Sequence, residues 1–257
     1  MISFAAIAVL GFLLGMRHAL DPDHVIAVTT IVSSQRSVAR AGLIGTMWGL
    51  GHTMTIFIVG SAIIVFNLTI PPRLGLSMEL AVGGMLILLG VLTLTGSVQR
   101  LQHRFGTQVA GVSVAPNTLA ESVETSAAHD EVARQTGIGR TLRNFGLYNL
   151  LRPLVVGIVH GMAGSAAVAL LVMTTIRNAW VSIAYLLLFG LGTIAGMVLI
   201  TAVISTPFIQ TARRFSRLNR GITVAAGLLS LGFGLFVAYR IGIVQGLFTS
   251  HPHWVPQ

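Results

Sequence analysis

The chain has 257 residues, of which 54% are hydrophobic and 9% charged, and its mean hydropathy is +0.84. Soluble globular domains carry about 25% charged residues, so this composition excludes an ordinary soluble domain and indicates that lipid surrounds most of the chain. The net charge is +9, every basic residue is Arg, and Cys is absent, which excludes a disulfide framework, a thiolate metal site and a thiol nucleophile.

Six apolar runs are long enough to cross about 30 Å of hydrocarbon. They lie at about 2–33, 41–67, 78–98, 153–176, 179–206 and 221–244. The first run has no basic leader and no clear small-residue cleavage site, so we expect a mature membrane segment and not a signal peptide. Pro207 is expected to close the fifth span. The predicted fold class is therefore all-α, a polytopic membrane protein with six transmembrane helices.

The first span is interrupted near its middle by polar residues at positions 17–24. Pro22 disfavours helical geometry at Asp21 and removes a backbone donor, so the first helix should break at Asp21-Pro22. A new helix should begin near Asp23, whose carboxylate is a good N-cap.

The Arg residues give the orientation. Twelve of them lie in connections 1–2, 3–4 and 5–6, and the opposite side has three, Arg73, Arg177 and Arg240. The positive-inside rule then places both termini outside a bacterial inner membrane and the long polar stretch 99–152 in the cytoplasm, as a partly disordered loop. Arg at the ends of spans also argues against nucleic acid as a partner.

The two halves resemble each other at an offset of about 142 residues. Positions 15–18 match 157–160, and positions 48–53 match 189–193. Three spans per copy is an odd number, so the second copy must be inserted upside down, which is a transporter architecture. The predicted organisation is a first repeat of three spans at 1–98, the loop at 99–152, and a second repeat with a short C-terminal tail at 153–257.

The candidate chemistry lies at the interruption of the first span. Ionisable side chains at mid-membrane are costly and rarely persist without a polar task. Imidazole and carboxylate together suit nickel, cobalt, zinc or ferrous iron. A regular helix would separate His18 and His24 by about 240°, but the predicted break would let His18, Asp23 and His24 converge on one ion.

Three further residues are candidates. His52 follows small residues in the second span that allow helices to approach closely, so it can supply another nitrogen. Asp21 is either a ligand or a residue that orients His18. His160 is either a ligand or gate facing the first site, or a hydrogen-bonded packing residue.

One alternative to this interpretation concerns the end of the first span, and a separate question concerns the tail. If the first span ended at Met16, the cluster would lie in an aqueous loop; the apolar residues at 25–33 argue against that. The tail residues His251 and His253 could capture metal outside the membrane or have no role, and the sequence leaves this open.

The motif His18-Ala-Leu-Asp-Pro-Asp23-His24 resembles the His-x4-Asp-His signature of the nickel/cobalt transporter (NiCoT) family. Gly51-His52-Thr53 is similar to that family's second motif. Typical members have eight spans and later Asp-Thr motifs that are missing here, so the chain looks like the shorter urease-accessory or superoxide-dismutase-associated branch. The resemblance implies metal uptake, with His18, Asp23, His24 and His52 as metal-binding residues.

The predicted function is a permease for a divalent cation, Ni²⁺ or Co²⁺ before Zn²⁺ or Fe²⁺, driven by the membrane potential or a proton gradient. The alternatives are an efflux permease of the same architecture and a metal-binding accessory subunit that does not transport. No phosphate-binding loop or His-Glu-x-x-His motif is present, and Glu79 is expected at the outer edge of span 3, so we predict no enzyme activity and no cofactor. Expected partners are the metal ion, the lipid bilayer and either further copies of the chain or metalloenzyme-maturation proteins.

Overall fold

A computed structural model describes residues 4–33, 35, 37–68, 70–96, 150–163, 178–249, 252 and 254. Most of the predicted cytoplasmic loop and the tail residues His251 and His253 lie outside these residues. Within the described ranges the regular secondary structure is all helical. The helices are α1 (Phe4–His18), α2 (Pro22–Val32), α3 (Val38–Phe66), α4 (Pro72–Leu94), α5 (Leu150–Ala163), α6 (Ala179–Arg214) and α7 (Ser216–Tyr239), followed by a π-helical turn (Arg240–Val244).

Four of these segments are long and apolar enough to cross a membrane: α3, α4, α6 and the stretch Arg217–Val244. The shorter apolar helices α1 and α2 divide the first predicted span between them, and α5 covers the first part of the fourth. Large apolar side chains such as Leu88, Leu199 and Phe236 are more than half exposed, which is the arrangement expected when lipid is the solvent. The chain is thus a multi-pass membrane protein.

The first span is broken where Pro22 predicts. Helix α1 ends at His18 and α2 begins at Pro22, with Asp21 in an extended conformation between them. The expectation that Asp23 caps the new helix is wrong, because Asp21 holds the N-cap position. Proline is favoured at the first helical position, so the residue before it becomes the cap. The Asp23 carboxylate instead accepts from the backbone N–H of His24 at 2.9 Å.

Two boundaries differ from the predicted ones. Helix α4 begins at Pro72, before the predicted start of its span, so Glu79 lies about two turns inside the helix and not at its edge. Helix α6 continues through Pro207 to Arg214. Proline lacks the N–H that would donate to the carbonyl four residues earlier, and a membrane helix can tolerate that loss.

Helices α3 and α5 cross in direct backbone contact. A Cβ atom at Gly51 would overlap the Leu154 carbonyl, and one at Gly157 would overlap the Trp48 carbonyl. Small residues allow this approach between membrane helices. The crossing brings the middle of α3 against the middle of α5, and it is there that both helices carry a histidine.

Candidate metal centre

The predicted site residues come together. Side chains from the end of α1, the start of α2 and the middles of α3 and α5 line one cavity of about 470 Å³. The members predicted from the sequence are His18, Asp21, Asp23, His24, His52 and His160. Every His and every acidic residue in the described part of the chain lines this cavity.

The helix break places His18 beside His24. His18 is the last residue of α1 and His24 is the third residue of α2, and their ring centroids are 4.8 Å apart. An unbroken helix would direct two side chains six positions apart to different faces. The extended conformation of Asp21 is therefore what joins the two halves of the motif.

One set of donors consists of His18, His24 and His52, with one nitrogen from each lying within 4.8 Å of the others. The Nε2 atoms of His18 and His52 are 3.2 Å apart. Two nitrogens bound to one ion at about 2.1 Å lie about 2.9 to 3.4 Å from each other, depending on coordination geometry. The pair is thus spaced to chelate a transition metal.

A second set consists of Asp23, His24 and His160, again with one atom from each within 4.8 Å of the others. Asp23 Oδ2 lies 2.9 Å from His160 Nε2, and its Oδ1 lies 3.1 Å from His24 Nδ1. The two sets share His24. Asp23 bridges α2 to α5, so the carboxylate ties the first half of the chain to the second.

Asp21 contacts His18 from the side away from His52. Its Oδ2 lies 2.7 Å from His18 Nδ1, and its side chain is about half exposed. A carboxylate that accepts from Nδ1 fixes the ring orientation and leaves Nε2 free to bind a metal. The geometry favours the orienting role for Asp21 over that of a ligand.

Three buried imidazole nitrogens lack a hydrogen-bond partner among the described residues: His24 Nε2, His52 Nδ1 and His160 Nδ1. The three side chains are 2% exposed or less. Burying a polar atom without a partner is costly. Lone pairs held in this state are suited to a cation that supplies the missing partner.

Sequence reasoning missed several residues that line the cavity or pack against its histidines. Trp48 stacks on the His24 ring with the planes 11° apart. Arg240 and Gln245, from the π-helical turn and just after it, line the cavity together with Glu79. A lone Glu within an apolar run was the one available signal for this part of the site.

Comparison with known proteins identifies the family. The urease accessory protein UreH of Bacillus sp. (strain TB-90) is 33% identical over 247 residues, which cover 96% of each chain. This chain belongs to the UreH family of urease accessory proteins. The match confirms the resemblance to the shorter, urease-accessory branch that the motifs indicated.

This member of the UreH family also has more distant relatives. Chloroplast proteins FOR GROWTH AND FERTILITY 1 and 2 of Arabidopsis thaliana are 25% and 23% identical to it over 88% of the chain. The chain spans 56% and 54% of those two proteins. No protein-family model and no solved structure matches the chain.

Proposed function

We propose that this chain is a permease for a divalent transition-metal cation, Ni²⁺ or Co²⁺, and that it takes the ion up across the bacterial inner membrane. One observation carries the proposal: every His and acidic side chain in the described residues lines a single cavity inside an apolar helical bundle. Such side chains are costly within a membrane and mark ion pathways.

The chemistry of the cavity suits that cargo. Imidazole nitrogens with a carboxylate favour nickel, cobalt, zinc or ferrous iron over calcium or magnesium, which prefer oxygen ligands. The chain has no Cys, so a soft thiolate site is excluded. His18, Asp23, His24 and His52 are the proposed ligands, and His160 joins them through Asp23.

The two overlapping donor sets support movement of the ion as well as binding. Because His24 belongs to both, an ion can pass from the set with His18 and His52 to the set with Asp23 and His160 without leaving coordination entirely. Sites that share ligands let a cation bind and still depart, which conduction requires.

Reciprocal contacts support the 3+3 inverted repeat. A Cβ at Gly15 of α1 would overlap the Phe189 carbonyl of α6, and a Cβ at Gly157 of α5 would overlap the Trp48 carbonyl of α3. In the sequence repeat Gly15 corresponds to Gly157 and Trp48 to Phe189. The first span of each copy therefore packs on the second span of the other copy, as a pseudo-two-fold axis requires.

Helices α4 and α7 follow the same rule. A Cβ at Gly234 would lie 2.8 Å from the Gly83 carbonyl oxygen, and one at Gly90 would lie 2.8 Å from the Gly227 carbonyl oxygen. Positions 83 and 227, like positions 90 and 234, are 144 apart. Exchanging the two copies turns the first contact into the second, so the third spans face each other across the proposed axis.

The membrane potential is the proposed driving force. Moving one charge inward is favourable by about 2.3 kcal/mol per 100 mV, and a divalent cation gains about twice that. In this mechanism, one repeat rocks against the other and exposes the ion to each side in turn. Both termini lie outside and the 99–152 loop is cytoplasmic in this orientation.

Uptake into proteoliposomes that contain only the purified chain tests the proposal. Ni²⁺, Co²⁺, Zn²⁺ and Fe²⁺ are followed separately with an inside-negative potential, for the wild type and for His24→Ala. We expect saturable entry of Ni²⁺ or Co²⁺ and at least a hundredfold loss in the variant, because His24 serves both donor sets. Thr29→Ala is the matched control, since the Thr29 hydroxyl donates to the backbone of the same helix.

An accessory subunit that binds metal without transporting it would give a different result. The relative is named a urease accessory protein, which favours, as a second candidate, a subunit that binds metal without moving it. Tight binding without flux of any metal would support that subunit, and flux only under an outward gradient would support an efflux permease. Absence of binding would contradict all three.

A further inference from the structure

The cavity has a second polar end, distinct from the histidine cluster. Glu79 of α4, Arg240 of the π-helical turn and Gln245 just after that turn line it there. These residues come from the end of the bundle where α4 begins and α7 finishes. That end carries Arg73, on the side predicted to be outside by the positive-inside rule.

Thr249 and Trp254, which follow the π-helical turn, contact the first part of α4. The indole N–H of Trp254 donates to Glu79 Oε1 at 2.8 Å. The ring lies directly on Gly75, where any Cβ would overlap it. The guanidinium of Arg73 also donates to the Thr249 carbonyl at 3.5 Å. The indole thus holds one carboxylate oxygen of Glu79 in a fixed place.

Gln245 adds an unsatisfied oxygen to the same end. Its Oε1 is buried and has no hydrogen-bond partner among the described residues. A buried amide oxygen without a partner is costly, and a cation or its bound water would supply the missing contact. Carboxylate and amide oxygens are donors that leave a divalent cation part of its water shell.

Glu79 carries the negative charge at this end of the cavity, and Arg240 carries a compensating positive charge. In the described part of the chain the acidic residues are Asp21, Asp23 and Glu79, and Glu79 is the one that lies away from the helix break. Arg240 acts on the Glu79 carboxylate electrostatically and balances its charge when no cation is present. The carboxylate available to a divalent cation at this end is that of Glu79.

We propose that Glu79 and Gln245 form an entrance site at which the hydrated divalent cation docks before it passes to the histidines, with Trp254 as a positioning residue that orients Glu79. The assignment rests on the proposed transport function. The oxygen site captures the ion with its water, and the nitrogen site replaces that water. Loss of the entrance site should therefore weaken capture and leave the inner site intact.

Initial uptake rates of Ni²⁺ into proteoliposomes, measured across metal concentration, test the entrance site. Glu79→Gln should raise KM about tenfold because the carboxylate that binds the cation is lost and the positive charge of Arg240 is left to repel the cation, while kcat stays near the wild-type value. Trp254→Phe keeps an aromatic ring over Gly75 and removes the N–H donor, so KM should rise about threefold. Glu79→Asp should restore part of the loss, since it retains the carboxylate.

Ser77→Ala is the matched control, because Ser77 is exposed on α4 and its hydroxyl donates to its own helix at Arg73. Equilibrium binding of Ni²⁺ to each purified variant reports the inner site and should be unchanged. A wild-type KM in both Glu79→Gln and Trp254→Phe would overturn the entrance site and leave the permease intact. Loss of kcat and of equilibrium binding in Glu79→Gln would instead assign Glu79 a structural role. Absence of flux in the wild type would contradict the proposed function and the entrance site with it.

Discussion

The two halves of the chain place a histidine at equivalent positions and build different surroundings for it. His18 ends α1, and the chain then breaks and adds Asp21, Asp23 and His24 within one short segment. His160 lies inside α5, which stays helical to Ala163, and its one acidic contact, Asp23, comes from the first half. Within the described residues, the first half of the chain therefore concentrates the donors, and the second half contributes a single imidazole and a close-packed helix to hold it.

The largest expected effect comes from breaking the contact that brings the halves together. Gly157→Leu places a side chain where the Trp48 carbonyl lies, so α5 must move away from α3 and carry His160 with it. Overpacking of this kind costs about 1–3 kcal/mol or more, so we expect a clearly lower unfolding temperature and a smaller yield of folded protein. Size-exclusion profiles and thermal unfolding in detergent measure this.

Gly42→Leu is the control for that substitution. Gly42 is also helical, on α3, and a Cβ there meets no atom within 4 Å. It should unfold at the wild-type temperature. Equal stability of the Gly157 and Gly42 variants would show that the α3–α5 crossing is not required for the fold.

The broken helix and the donors beside the break could be predicted from the sequence, because both depend on neighbouring residues. Pro22 acts on Asp21 and on its own turn, and its effect on the directions of His18 and His24 follows from local geometry. The contact between Asp23 and His160 joins residues 137 positions apart. It depends on how closely α3 and α5 approach, which no local pattern specifies.

The depth of Glu79 was missed for a different reason. The predicted third span began at position 78, one residue before Glu79, which placed Glu79 at the outer edge of the span. The helix begins at Pro72, because proline is favoured at the first helical position and the Arg73 side chain is exposed at the helix end. The helix therefore begins earlier than hydropathy predicts, and Glu79 lies within the helix, where its side chain lines the cavity.

His18 and His160 match each other in the sequence repeat, and replacing them one at a time tests how the two halves differ. His18→Ala deletes a ligand of the set that contains a 3.2 Å nitrogen pair, whereas His160→Ala leaves that set complete. We expect metal affinity to fall about a hundredfold for His18→Ala and about tenfold for His160→Ala. Both values lie within the range of losses in metal affinity expected when a ligand or a residue that supports a ligand is removed. Titration of Co²⁺ into purified protein, followed by its visible absorption, measures both affinity and the number of nitrogen ligands.

Transport separates the two histidines further. If the ion passes between the donor sets, His160→Ala should reduce the uptake rate more than it reduces affinity, since it removes the second set and spares the first. An unchanged uptake rate in His160→Ala would contradict the transfer between sets and leave His160 as a packing residue.

The most conservative substitution tests whether Asp21 orients His18 or binds the metal itself. Asparagine caps helices as well as aspartate does, so Asp21→Asn preserves the N-cap position of Asp21 while it weakens the 2.7 Å contact with His18 Nδ1. Loss of such a support lowers metal affinity by about tenfold, and the Co²⁺ absorption spectrum should keep its shape because the ligands are unchanged. Ser37→Ala, at the N-cap of α3, is the control for a cap that does not line the cavity. A changed spectrum in Asp21→Asn would mean that the carboxylate is a ligand, and the first half of the chain would then bind the ion through five side chains where the second half offers one.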